Sequence, residues 1–303
     1  MPRLKANGIE IEYESFGGER DPLVLLIMGL AAQLIFWPES LCAGLAAKGF
    51  RVVRFDNRDI GKSTHLASLP MPDFRAVMAE VMAGKTPAVP YRLEDMAKDA
   101  VGVLDALGVE RAHFAGSSMG GMITQLVAIN HPERVKSLVS MNSTTGRRDL
   151  PPGDPEAMKI LGQPPKSSGR EDLIEASILV QRTLLGPGYR MTEAELRQSA
   201  ERRTDRAPYD PAGIARQWAA VVAAPPRNAG LNMVRRPALV IHGDADPLFP
   251  VATAKDTADN IPGAELTVVP GLGHTWPESA APVALARLGE FFSKAEARAP
   301  IGG

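Results

Sequence analysis

The chain has 303 residues, a formal net charge of −1 and 45% hydrophobic residues, enough to bury one substantial core and without the basic excess that nucleic acid or an anionic membrane surface would select. Its single cysteine, Cys42, excludes a disulfide within the chain, and no stretch is apolar for long enough to span a bilayer. The expected partner is a small molecule, and the start "MPRLKANGIEIEYESFG", which has no apolar leader, reads as that of a cytoplasmic protein.

Residues 9–17, "IEIEYESFG", alternate apolar and polar with period two and predict an antiparallel strand with one wet face. The runs at 23–29 ("LVLLIMG"), 51–56 ("RVVRFD"), 112–117 ("AHFAGS"), 136–142 ("KSLVSMN"), 238–243 ("ALVIHG") and 265–271 ("ELTVVPG") are short and largely apolar, as strands covered on both faces must be. Helical spacing separates several of them. Cys42 lies in one such segment, "LCAGLAAKG", as a small buried hydrophobe. In "RLEDMAKDAVGVLDALG" the residues Leu93, Met96, Ala97, Ala100, Leu104 and Leu107 share one face, and Gly108 marks the stop. A closing helix carries Ala284, Leu288, Phe291, Phe292 and Ala295, and the tail "EARAPIGG" is expected to fray. Alternation of strand and helix predicts an α/β fold, with a parallel sheet covered by helices on both faces.

The alternation stops between residues 147 and 236, where "EDLIEASILVQRTLLG" and "TEAELRQSAERR" are helical, prolines cluster and no strand is evident. This segment is predicted to be a helical cap over the carboxyl edge of the sheet. The domains are then a core of residues 1–146 and 237–303 and a cap of residues 147–236. A smaller excursion at 69–91 holds one Met-rich helix expected beside the cap, its methionines reading as core filler ahead of a ligand surface. Arg182, Arg190 and Arg197 in the cap read as a solvated helix face, with carboxylate binding as the alternative.

The stretch "HFAGSSMGGM" sets two serines among glycines after a buried strand and before the helix "MGGMITQLVAIN". Laid on G-x-S-x-G it aligns Gly116, Ser117, Ser118, Met119 and Gly120, with Gly121 following, and so selects Ser118 as a nucleophile. The glycines relieve collisions in a sharp, strained turn, and the helix aims its free N–H groups at the same place. A simple helix cap is the plain alternative. A serine needs a base. Of the five histidines, His65, His113, His131 and His242 read as structural or solvated, whereas His274 lies in the glycine-flanked loop "VPGLGHTWP". The imidazole in turn needs a carboxylate. "HGDADPLFP" offers Asp246, further into its loop, and Asp244, which fits a turn-shaping role and stays the alternative acid. The strand ending "SMNST" has no acid nearby.

The order Ser118, Asp246, His274, carried by "GSSMGG", "HGDADPLFP" and "GLGHTWP", resembles the α/β-hydrolase family over nearly the whole chain. Through "LLIMGLAAQLIFWP" and "RFDNRDIGKST" it is most similar to the branch of esterases like aclacinomycin methylesterase. The resemblance implies a mostly parallel eight-stranded sheet with the cap inserted after the sixth strand. It also implies hydrolysis of carboxylic esters through an acyl-enzyme, and the Met-rich excursion with apolar cap stretches such as "IEASILVQRTLL" suggests small to medium, rather hydrophobic ones. The oxyanion would be held by the backbone N–H groups of Leu30 and Met119, with Gly29 in the supporting turn. Two departures from many relatives are Met28, where His is common before the glycine, and Ser117, also commonly His. No metal and no organic cofactor is expected, since there is no P-loop and "GSSMGG" is not a dinucleotide fingerprint. The same triad serves methylesterases of polyketide-type substrates, amidases, carbon–carbon bond hydrolases and perhydrolases. A triad-bearing ligand receptor is the alternative from another class, and a monomer or a homodimer suits any of them.

Overall fold

All but the last of the apolar runs become inner strands of one sheet in the computed structural model, which describes residues 2–298. In chain order the elements begin with β1 (Arg3–Ala6), β2 (Ile9–Phe16), β3 (Leu23–Ile27), α1 (Glu39–Ala47), β4 (Arg51–Phe55), α2 (Phe74–Met82) and α3 (Leu93–Ala106). Next come β5 (Ala112–Ser117), α4 (Met119–Asn130) and β6 (Val135–Met141), then the helices α5 (Pro155–Leu161), α6 (Arg170–Leu184), α7 (Glu193–Arg206), α8 (Pro211–Ala223) and α9 (Asn228–Leu231). The chain ends with β7 (Ala238–Gly243), α10 (Val251–Asp259), β8 (Glu265–Val269) and α11 (Ala281–Arg298). The frayed tail expected at "EARAPIGG" lies outside the described residues from 299 onward, and Glu296 and Arg298 belong to α11.

The strand order is β1-β2-β4-β3-β5-β6-β7-β8, with β1 and β2 antiparallel to their neighbours and every later pair parallel. Alternate residues of each inner strand feed opposite cores, as the two-residue period of a strand requires. Leu23, Leu25 and Ile27 face α3 and α4, whereas Val24 and Leu26 face α1 and α11. Both faces are covered, so β3, β4, β5 and β7 are buried along their whole length. β8 departs from the expectation of a doubly covered strand. It is the sheet edge, and Leu266 and Val268 are exposed while Val269 is buried. The short β1 was not evident in the sequence because four residues, "RLKA", carry no measurable period.

The helices α5 to α9 lie between β6 and β7, and no strand interrupts them. The Met-rich excursion contributes α2, which packs on α8 through an edge-to-face contact of Phe74 with Trp218 at 5.6 Å. Two of its three methionines are not core filler, and Met78 is half-buried. Met71 and Met82 are exposed, and the side chains buried on α2 are Val77 and Val81. The α2 helix is capped by Asp73, whose carboxylate accepts the N–H of Arg75 and Ala76. Among the described residues no helix is long and apolar enough to cross a membrane.

Two of the strand residues buried within this framework are histidines. His113 on β5 sits against Phe50 and Phe292 and bonds Ser137 and Glu296. His242 on β7 donates from Nε2 to the Phe249 carbonyl at 2.6 Å. For each, burial is the leading influence and holds the imidazole below its ordinary pKa of 6.5, despite the acidic groups nearby. The unfolded chain therefore takes up protons that the folded one refuses as pH falls below about 6.5. Stability is expected to be full above that pH and to decline progressively below it. Calorimetric Tm values recorded from pH 8 to pH 5 check this, and a flat Tm over that range would contradict it.

Candidate active site

Ser118 joins β5 to α4 with φ 57° and ψ −120°, a conformation a non-glycine residue adopts at a cost of about 1–3 kcal/mol. Its own backbone hydrogen bonds hold it there. Its N–H donates to Met141 at 2.9 Å, and its carbonyl accepts from Gly121 N–H at 2.9 Å and from the Ser143 hydroxyl at 2.8 Å. The glycines around it permit the approach of backbone to backbone. A Cβ at Gly116 would lie 2.0 Å from the Gly120 carbonyl oxygen, and one at Gly120 would lie 2.0 Å from that of Ile27. One at Gly121 would meet the Ser143 side chain at 2.6 Å, and one at Gly29 would come within 3.0 Å of the Ser118 Cβ. Ser117, one residue earlier, is the buried last residue of β5.

Leu30 follows Gly29 in the turn after β3, so its peptide lies against the Ser118 side chain. The Leu30 N–H makes no hydrogen bond with the described residues. Met119 is the first residue of α4, and an N–H at that position has no acceptor within its helix. Met28, where many relatives have His, is buried and presents its carbonyl to the Asn57 amide at 2.9 Å.

Asp246 follows β7 and His274 follows β8, the two strands of the sheet beyond β6. The His274 Nδ1 lies 2.8 Å from the Asp246 Oδ2. Every direction of this buried carboxylate is used. Oδ1 accepts Leu248 N–H at 2.8 Å and Phe249 N–H at 3.1 Å, and Oδ2 also accepts the Asn142 amide at 2.9 Å. Burial would push the Asp246 carboxyl upward, but His274, His242 and the Asn142 amide outweigh it and hold the group below the usual carboxylate range. Asp244 instead accepts the Gly271 N–H at 2.7 Å and closes the turn after β8.

Asn142 was missed in the sequence. It follows β6 at φ 43°, a left-handed conformation that asparagine tolerates better than most residues. Its amide bridges Asp246 and the Gly273 carbonyl, and its oxygen accepts the Trp276 indole N–H at 3.0 Å. With no acid in "SMNST", no sequence signal marks Asn142, whose amide braces an acid that follows the next strand. The inserted helices also reach this corner, since the Leu184 carbonyl at the end of α6 accepts the His274 N–H at 2.8 Å.

Of the other histidines, His242 has its Nε2 3.6 Å from the Asp246 Oδ2, and His65, His113 and His131 stand away from this arrangement. His65 bonds Asp210 at 2.7 Å and the Gly61 carbonyl at 3.1 Å, and Asp59 completes a group of potential metal ligands. The guanidinium of Arg216 already occupies the Asp59 carboxylate at 2.7 and 2.8 Å, so this group is an ion-pair cluster. In the inserted helices Arg182 pairs with Glu193 and Arg197 with Glu171, all partly exposed, as expected of a solvated face. The consequential arginines are others. Arg206 reaches the fully buried Asp56 at 2.7 Å, and Arg203 stacks over Phe36 at 3.7 Å.

A sheet of this order, carrying a strained serine turn at the carboxyl end of its β5 and a paired aspartate and histidine two and three strands on, defines a hydrolase of the α/β class. The model of the alpha/beta hydrolase fold family matches residues 22–278, and the chain belongs to that family. It is 30% identical over 286 residues to the rhodomycin D methylesterase DauP of Streptomyces sp. (strain C5), covering 87% of this chain and 88% of that one. It is 32% identical over 249 residues to a 2-hydroxymuconate semialdehyde hydrolase of Pseudomonas sp. (strain CF600), covering 76% and 82%. The enol-lactonase of Burkholderia xenovorans LB400 superimposes with a TM-score of 0.71 at 23% identity, covering 96% of this chain and 100% of that one.

The Gly120→Ala substitution tests the packing of the serine turn. Its methyl group would collide with the Ile27 backbone, and such overpacking is expected to cost about 1–3 kcal/mol or more. Urea denaturation beside wild type measures it, and an unchanged midpoint would show that α4 does not rest on β3 as described.

Proposed function

We propose that this protein is a serine carboxylesterase. The observation that carries the reading is the 2.8 Å bond between Asp246 and His274 on the same sheet edge as a serine held at positive φ before α4. A carboxylate can only accept, so the His274 proton sits on Nδ1 and the lone pair on Nε2 is left to serve as base. Ser118 Oγ attacks the ester carbonyl carbon as His274 takes its proton, and Asp246 stabilises the imidazolium. The backbone N–H groups of Leu30 and Met119 hold the oxyanion. The tetrahedral intermediate collapses, the alcohol leaves with the proton from His274, and water repeats the sequence on the acyl-enzyme. No step draws on a metal or an organic cofactor.

The substrate in this reading is a small to medium, rather hydrophobic ester, and helices within residues 147–236 serve as a cap over the edge where it binds. The names of the methylesterase relatives support an ester carbonyl. A second reading, hydrolysis of a carbon–carbon bond by the same serine, is favoured by the 2-hydroxymuconate semialdehyde hydrolase at 32% identity.

Hydrolysis of p-nitrophenyl esters from acetate to palmitate tests the proposal. Ser118→Ala is expected to lose about 10⁴-fold or more of kcat while Ser117→Ala keeps most of it. Wild-type rates in Ser118→Ala would overturn the nucleophile, and a wild type inert toward every ester would favour the carbon–carbon reading.

Asn142 bears on the same chemistry. Asn142→Leu removes one donor to Asp246 and leaves Trp276 and Gly273 without their partner, at about 1–3 kcal/mol in stability. With the aspartate less firmly held, kcat is expected to fall roughly tenfold at an unchanged KM. Steady-state kinetics on the folded variant checks this.

A further inference from the structure

Gln217 lies on α8, a helix of the segment inserted between β6 and β7, and its side chain is fully buried. Its Oε1 accepts the Ala31 N–H at 2.9 Å, and its Nε2 donates to the Arg58 carbonyl at 2.8 Å. Ala31 is the left-handed residue of the turn that follows β3, with φ 57°, and the turn closes through Ala32 N–H to the Gly29 carbonyl at 3.3 Å. An alanine at such an angle has a lower-energy alternative in which the Leu30–Ala31 peptide rotates and its N–H points elsewhere. Gln217 holds that N–H where it is. On the other side of Gly29 the Met28 carbonyl is held by the Asn57 amide at 2.9 Å. The Gly29–Leu30 peptide, which carries the Leu30 N–H, therefore lies between two peptides that are each pinned by a buried amide side chain.

We propose that Gln217 is a positioning residue for the oxyanion-binding peptide of Leu30, by which the inserted helices set the geometry of the reaction centre. This inference rests on the serine-nucleophile reading above. Gln217 touches no reacting atom and acts through the turn. An unpinned turn would spend part of its time with the Leu30 N–H displaced, and displacement of a preorganised donor lowers the rate of acylation while leaving substrate binding alone.

The test uses the full chain and a fluorophosphonate probe, whose phosphorus forms a bond to the serine oxygen as fluoride leaves, followed by intact mass. Gln217→Met keeps the length of the side chain and loses both hydrogen bonds. It is expected to be labelled at Ser118 about 10- to 100-fold more slowly, with a parallel loss in kcat and KM within twofold of wild type. Trp218→Ala loosens the neighbouring contact of α8 with α2 and should label like wild type. Folded Gln217→Met labelled at the wild-type rate, or Trp218→Ala slowed as much, would overturn this inference alone. A wild type that the probe leaves unmodified would overturn the serine-nucleophile reading and this inference with it. Should Gln217→Met fail to fold, amide hydrogen exchange in wild type decides: a protected Ala31 N–H is expected, and exchange at the rate of an open loop would overturn the clamp.

Discussion

A backbone held at φ 57° and ψ −120° at Ser118 is the constraint around which the neighbouring elements are arranged. The strain is not relieved locally. It persists because Met141, Gly121 and Ser143 all bond the same residue, and because glycines let three backbone segments meet within a few ångströms of it. Strand β3, helix α4 and the turn at Gly29 could not approach so closely with any side chain at those positions. The free N–H groups at the start of α4 and the hydroxyl of Ser118 are brought to one place by a single stretch of chain.

The inserted helices are docked on the sheet through buried ion pairs as well as apolar contact. Asp56 and Asp59, in the loop after β4, are fully buried and receive Arg206 from α7 and Arg216 from α8. Removing one partner of such a pair leaves an uncompensated buried charge, which costs about 3–5 kcal/mol. The same loop sends Asn57 to the Met28 carbonyl and Arg58 to Asp99 on α3. At the opposite end, Gly186 and Gly273 allow the chain after α6 to press on the loop that carries His274. The insertion thereby touches the loop that holds the Met28 carbonyl and the loop that carries His274.

The aspartate after β7 shows how a buried carboxylate is kept charged. Its oxygens take two backbone N–H groups, one imidazole and one amide, and His274, His242 and Asn142 outweigh the desolvation that would otherwise protonate it. The asparagine after β6 supplies the amide from a neighbouring strand, itself oriented by Trp276. An acid braced from two strands holds the imidazole in one tautomer and one direction, which is what a base for a serine hydroxyl requires.

Local pattern alone was sufficient for much of this. The period of two in "IEIEYESFG", the doubly apolar inner strands, the helical face through Leu93 and Leu104, and the strand–glycine–serine–helix run around Ser118 each arise from neighbours a few residues apart. Those signals are legible because burial of a strand or helix face is written into the spacing of its own side chains. Tertiary structure decided the rest. It set β8 at the open edge, left Met71 and Met82 in solvent, gave Asp244 to the Gly271 turn and Asp246 to His274, and brought Asn142 and Gln217 to buried polar partners. Gln217 and Ala31 are 186 residues apart, and Asn142 and Asp246 are 104. A buried amide is stable only where the fold supplies its partner, and no short-range pattern in the chain encodes which distant backbone group that will be.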